Sequence, residues 1–270
     1  MTDIDPTSPP APPTAAEHIL ENRRLWDEMA PDWVAGGEAN WRATTPTWGV
    51  WGVSNEVLPL LPAELTGVDA VELGCGTGYV SAWLARRGAR VTGVDNSAAQ
   101  LATARRLAAE HGLPINWIHA DAEHLPLPSA CADFAISEYG AALWCQPERW
   151  LAEAARVLRP GGRLVFLTSH PSAAICIPPD GAAVTTTLHR SYFDLDVLDW
   201  RSVAVDPGGI EFNRPISAWF RTLAEAGFTV EDFAEARAPA DAVGERYGVS
   251  ADWGRQWPYE QVWWARRNLT

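Results

Sequence analysis

The sequence has no lysine: all 21 basic residues among its 270 are arginine. That excludes a lysine Schiff base, a lysine general base and a phosphate loop closing on Gly-Lys-Ser/Thr. Cysteine is scarce. Cys75, Cys131, Cys145 and Cys176 form no CxxC pair and no zinc spacing with histidine. They read as free thiols of a reducing, cytoplasmic compartment, and no metal is expected. No apolar run approaches the length of a transmembrane helix. The amino terminus lacks the basic and apolar regions of a signal peptide. Basic residues do not cluster either. The pairs Arg23-Arg24, Arg86-Arg87, Arg105-Arg106 and Arg266-Arg267 are short and scattered, and a net charge of −13 repels a polyanion. No nucleic-acid and no membrane partner is expected, and monomer and homodimer both stay open.

What is present is tryptophan, 15 residues of it, within an ordinary apolar fraction of 47%. Residues 1–16 hold five prolines and few large apolar groups, the composition of a disordered tail. From residue 17, Ile19, Leu20, Trp26, Met29 and Ala30 recur at roughly helical spacing until Pro31 interrupts. A second helical piece through Trp33 and Val34, a Gly- and Trp-rich stretch over 36–55 and a loose helix over 54–61 complete a helical cap at 17–66. The core is expected over 67–270.

In that core, apolar strands alternate with amphipathic helices. Strands are predicted at 68–73, 89–95, 115–119, 131–137 and 163–168, and helices at 79–87, 97–111 and 147–158. The rhythm predicts an α/β fold, a parallel sheet with helices on both faces and right-handed crossovers. It breaks over 169–215, so 171–215 is read as an insert on the substrate side. A helix at 216–226 and strands at 228–235 and 260–266 follow.

The strongest signal is the turn after the first strand, with glycines at 74, 76 and 78. They remove Cβ atoms where a ligand meets backbone and permit positive φ, and the next helix offers free N–H groups. A dinucleotide turn wants glycine at the sixth position, where Tyr79 stands. The octet Val71-Glu72-Leu73-Gly74-Cys75-Gly76-Thr77-Gly78 resembles the first motif of class I S-adenosylmethionine-dependent methyltransferases. Further matches are collinear: Val91 to Ser97 with its terminal Asp95, Asp121-Ala122-Glu123-His124-Leu125-Pro126, Cys131 to Ser137, and Leu158-Arg159-Pro160-Gly161-Gly162-Arg163-Leu164. Together they cover about 65–170.

The resemblance implies a Rossmann-like, doubly wound, mostly parallel sheet of seven strands, with an N-terminal helical cap and an insert after strand five. It implies S-adenosylmethionine as cofactor. Gly74, Cys75, Gly76 and Gly78 would pass close to its methionine part. Asp95, with Asn96 beside it, would accept the ribose hydroxyls. Asp121 and Ala122 would meet the adenine. Glu72 would orient the turn or reach the ammonium. Trp33 would close over the cofactor, and Glu138 would face it from the end of strand four.

On the acceptor side, Glu138, Tyr139 and His170 are the catalytic candidates, since a base is needed only where the acceptor loses a proton. Trp41, Trp48, Trp51, Tyr139, Trp144 and His189 are the substrate-binding candidates, the tryptophans lining an apolar, aromatic pocket or merely gluing the cap to the sheet. The leading function is methyl transfer to a small-molecule acceptor, with alignment supplying much of the rate. The alternatives are a rearrangement or cyclisation around bound S-adenosylmethionine and, further off, a nicotinamide-dependent dehydrogenase.

Overall fold

From residue 69 to 169 the chain folds as alternating strand and helix. A computed structural model describes residues 17–203 and 208–269; the expected tail over 1–16 lies outside these. Helix α1 (Glu17–Arg42) comes first. Then follow β1 (Asp69–Leu73), α2 (Tyr79–Arg86), β2 (Arg90–Asp95), α3 (Ala98–His111) and β3 (Ile115–His119). β4 (Ala132–Glu138), α4 (Gly140–Trp144), α5 (Pro147–Val157), β5 (Leu158–Ser169) and α6 (Pro171–Cys176) complete the parallel part. The chain ends with α7 (Ile216–Glu225), β6 (Phe228–Ala236), α8 (Ala251–Gln256) and β7 (Glu260–Arg267).

The seven strands form one sheet in the order β6-β7-β5-β4-β1-β2-β3. The pairs among β1 to β5 are parallel, and β7 runs antiparallel to both β5 and β6. Strand order reverses between β1 and β4, so a crevice opens at their carboxyl ends. Side chains alternate across the sheet as the strand period requires. On β5, Val165 and Leu167 pack with Trp83, Leu84 and Phe134 on one face. Leu164 and Phe166 pack with Trp150, Trp219 and Trp263 on the other. No helix among the described residues is long and apolar enough to cross a membrane.

The cap differs from its expectation. Helix α1 is one helix of 26 residues with Pro31 inside it. An interior proline costs about 3 kcal/mol, and anchors on both sides outweigh it. Before Pro31, His18 Nε2 lies 2.5 Å from Glu123 Oε1, and Asn22 bonds the backbone of Trp144 and Ile210. After it, Trp41 Nε1–H donates to the Thr77 carbonyl at 2.7 Å. Residues 54–61 are not helical. Asn55 binds Trp48 Nε1 and both backbone groups of Leu61, and so replaces helical bonds with a side-chain hub. Between them, Thr47–Trp48 and Val53–Ser54 pair as a short antiparallel ribbon.

Two later segments also depart from the expected plan. Strand β5 starts at Leu158 rather than Arg163, with a register shift where it meets β4. The insert carries α6 and a ribbon of Val197–Asp199 with Ile210–Phe212. A hairpin of Glu245–Arg246 with Val249–Ser250, between β6 and β7, was not anticipated.

Candidate active site

The three turn glycines have three different reasons. All take positive φ, 77°, 50° and 78°. A Cβ on Gly74 would stand 2.4 Å from the Gly140 Cα, so this residue lets the turns after β1 and β4 touch. A Cβ on Gly78 would stand 2.3 Å from the Trp117 ring. A Cβ on Gly76 would meet nothing nearer than Gln100 Oε1 at 4.0 Å. Of the three, Gly76 therefore borders open space. The Gln100 oxygen facing it is buried and has no hydrogen-bond partner. An orphaned acceptor beside bare backbone suits a ligand that brings donors.

Asp95 ends β2 at the same place. Its Oδ2 accepts the Gly76 N–H at 2.7 Å and its Oδ1 the Ser97 N–H at 2.8 Å. Burial raises its pKa against the pull of these amides. The arrangement fits the ribose of S-adenosylmethionine, since a carboxylate already held by backbone donors still has lone pairs to offer. Cys75 lies buried in the turn, its amide bound to the Val94 carbonyl and its thiol pushed well up by burial. Asn96 is tied to α1, accepting from Arg23 Nε and donating to the Ile19 carbonyl, both at 2.9 Å.

Glu72 orients the turn. Its Oε2 accepts the N–H and Oγ–H of Ser81 at 2.7 and 2.5 Å. Ser81 stands in the first turn of α2, whose N-cap, Gly78, has no side chain to satisfy these amides. Burial holds the Glu72 carboxyl well above its ordinary pKa. Asp121 accepts the Glu123 N–H at 2.8 Å and lies 3.1 Å from His124 Nδ1, with Ala122 buried beside it. Asp121, Glu123 and Cys145 bring ligand atoms within 4.8 Å of one another. His18 and the Gln146 amide bind Glu123, and burial holds the Cys145 thiol well up, so the group is a hydrogen-bonded seam.

Glu138 stands at the end of β4, beside the Gly74–Gly140 contact. Its Oε1 accepts the Gly49 N–H at 2.8 Å and its Oε2 the Tyr79 hydroxyl at 2.6 Å. Burial raises its pKa. Tyr139 takes φ 56°, and its hydroxyl donates to Glu260. The same Glu260 oxygen accepts the Val50 N–H at 2.7 Å. Burial pushes the Glu260 carboxyl up to about 7. A cavity of about 420 Å³ opens on Glu138, with Asn40, Thr47, Tyr79, Arg246 and Tyr247 in its walls.

This cavity is polar, which corrects the expected aromatic, apolar pocket. Trp41 and Trp48 have no exposed surface and pack in the core. Trp51 is 6% exposed and lies beneath the Arg246 guanidinium, 5.6 Å from its ring centroid. Trp144 and Trp33 instead join a row: Trp144 meets Trp26 at 5.3 Å, Trp26 meets Trp33 at 5.5 Å, and Trp33 stacks on Tyr247 at 5.9 Å. His170 caps α6, with Nδ1 accepting the Ser172 N–H and Nε2 3.1 Å from Glu235. Burial lowers its pKa. His170 does not line the cavity, so the base candidate there is Glu138. His189 is exposed within the insert, against Thr185. Sequence reasoning missed Tyr79, Arg246, Tyr247 and Glu260. The one available signal was a glutamate opening the aromatic strand β7.

Known proteins resemble this chain in family and fold. A family described as a methyltransferase domain matches residues 71–166. A ubiquinone biosynthesis O-methyltransferase from Maricaulis maris is 30% identical over 175 residues, 62% of this chain and 68% of that protein. An S-adenosyl-L-methionine-dependent Diels-Alderase from Talaromyces variabilis is 35% identical over 161 residues, 54% of each chain. The crystal structure of an S-adenosylmethionine-dependent methyltransferase from Mesorhizobium loti superposes with a TM-score of 0.64 at 28% identity, over 78% of this chain and 96% of that one. Other curated relatives are spanned over only 28%, 42% and 53% of their length.

Proposed function

Because the chain belongs to the S-adenosylmethionine-dependent methyltransferases, we propose that it transfers a methyl group to a small-molecule acceptor seated beside Glu138. The observation that carries this reading is a half-buried carboxylate of raised pKa that lines a polar cavity of about 420 Å³ at the sheet's switch point. That volume falls in the range of small-ligand sites.

When bound, S-adenosylmethionine supplies an electrophilic methyl on a sulfonium. Asp95 would hold the ribose hydroxyls, Gly76 would leave the backbone bare for the methionine part, and Gln100 Oε1 would take a donor from the ligand. Asp121 and Ala122 would meet its adenine. Glu138 accepts the proton of an acceptor hydroxyl or amine, its raised pKa bringing it toward neutral pH where a base works best. Tyr79 orients that carboxylate through its hydrogen bond. Asn40, Thr47 and Tyr247 bind and align the acceptor, and alignment supplies most of the rate.

The test is incubation with methyl-labelled S-adenosylmethionine and a panel of small phenols, hydroxy acids and amines. Label on an acceptor, with release of S-adenosylhomocysteine, is the expected result. Glu138→Gln should then lower turnover by about a hundredfold with cofactor affinity retained. The likeness to a Diels-Alderase favours a second reading, cyclisation around bound cofactor. An unlabelled, rearranged product would establish that reading and overturn the first.

A further inference from the structure

Two carboxylates, Glu260 buried and Glu138 half-buried, hold consecutive amides of one turn. Glu138 takes the Gly49 N–H and Glu260 the Val50 N–H. They come from β4 and β7, which β5 separates in the sheet. Glu260 reaches back to β4 as well, because its Oε1 also accepts the Tyr139 hydroxyl. Tyr139 is the residue after Glu138, and its φ of 56° is one a non-glycine residue adopts only where its surroundings hold it. Gly49 completes the fit. Its φ is 68°, and a Cβ there would stand 2.1 Å from Glu260 Oε1. One carboxylate thus touches the strained turn after β4 and the cap turn that walls the cavity. Among the described residues, no ion pair links Glu138 or Glu260 to a basic side chain.

We propose that Glu260 is a positioning residue: it holds the turn after β4 and the cap turn at 47–54 in register, and so fixes the Glu138 carboxylate against the cavity. The role given to Glu138 rests on the methyl-transfer reading, whereas the coupling of the two turns does not. The groups that face Glu260 are Tyr139 and Glu138 from the β4 side and the Val50 amide from the cap. Tyr139 and Val50 favour its ionised form, while burial first and Glu138 after it oppose that form. Protonation therefore weakens the acceptor that both donors share.

The experiment compares Glu260→Ala, Glu260→Gln and Tyr139→Phe in the full chain. Three quantities are read: hydrogen-exchange protection of the Gly49 and Val50 amides between pH 6 and 8.5, S-adenosylhomocysteine affinity by calorimetry, and kcat and KM on an acceptor found by labelled-methyl transfer. In Glu260→Ala, protection should fall about tenfold or more, and kcat about ten- to a hundredfold, with cofactor affinity within about threefold. Glu260→Gln keeps an acceptor oxygen in place. It should recover most of both and lose the wild-type change in protection near pH 7. Wild-type protection and kcat in Glu260→Ala would overturn the proposal, as would an equal loss in Glu260→Gln. Should Glu260→Ala fail to fold, Tyr139→Phe decides. It removes one bond and should cost kcat about threefold to tenfold, and an unchanged kcat there would refute the positioning role. If no acceptor ever takes label, the methyl-transfer reading fails, while amide protection still decides the coupling.

Discussion

The two halves of the proposed site are built differently. On the side proposed for the methyl donor, at Gly76, Asp95 and Asp121, most polar groups find partners close by in sequence. Asp95 binds amides 19 and 2 residues away, Glu72 binds Ser81 9 away, and Asp121 binds an amide 2 away. On the acceptor side the partners are remote. Gly49 and Glu138 lie 89 residues apart, Tyr139 and Glu260 121, and Val50 and Glu260 210. The donor half is a property of contiguous segments at strand ends. The acceptor half exists only once the sheet and cap have assembled. Mutations should therefore act locally and severely on the first, and through long-range coupling on the second.

The largest effect should separate two glycines of one turn. Gly74→Ala drives a methyl into the Gly140 backbone, which cannot yield, and should cost more than about 4 kcal/mol of stability. Gly76→Ala meets open space, so only its positive φ is penalised, at about 1 kcal/mol. It should nonetheless lose S-adenosylhomocysteine binding, because the methyl occupies the ligand's place. Thermal denaturation and calorimetry on both variants check this, and an equal loss of stability would erase the distinction.

Asp95→Ala should come next. It frees the Gly76 and Ser97 amides and removes the acceptor for the ribose. About 3 kcal/mol, or a hundredfold in cofactor affinity, is expected from the loss of charge-assisted bonds. Unchanged affinity would move the ribose elsewhere and break the donor half as drawn.

The same division decides what could be read from the sequence. Strand and helix alternation, the glycine turn and Asp95 follow from local chemistry, and the parallel part of the sheet agrees with them closely. Glu138 stood out because it is an acidic residue closing a strand at the crevice, and the cavity opens on it. Glu260 was not, since nothing near it in sequence shows that Tyr139 and Val50 fold against it. The tryptophans misled for a related reason. Residue type alone does not tell a core ring from a pocket ring, and Trp41 and Trp48 proved to be core. Pro31 shows the converse: a local breaking signal is overridden by anchors at His18, Asn22 and Trp41, two of which bond partners more than 100 residues away.

A moderate effect should come from Glu260 and depend on pH. Its folded carboxyl titrates near 7, against an ordinary value of 4.5. The fold therefore binds the extra proton, and the stability this gives is complete below about pH 4.5 and lost as pH rises to 7. Glu260→Gln has no such loss. In thermal denaturation it should be as stable as the wild type at pH 4.5 and more stable above pH 7, by about 3 kcal/mol. A variant less stable than the wild type at pH 8 would mean that the ionised carboxylate stabilises the fold. The expected result instead makes Glu260 a residue retained for the site at a cost in stability.

Trp33 should give the smallest effect, and it tests which half the aromatic row serves. Resemblance assigned Trp33 to the cofactor. The structure stacks it on Tyr247, a wall of the acceptor cavity, and links it through Trp26 to Trp144. A stacked pair of this kind contributes about 0.5–1.5 kcal/mol beyond its buried area. Trp33→Ala should therefore speed hydrogen exchange in the 245–250 hairpin about threefold to tenfold, with S-adenosylhomocysteine affinity nearly unchanged. A tenfold fall in that affinity with the hairpin undisturbed would return Trp33 to the donor half. The boundary between the halves would then run through α1, with Trp33 on the cofactor side and Asn40 on the acceptor side of one helix.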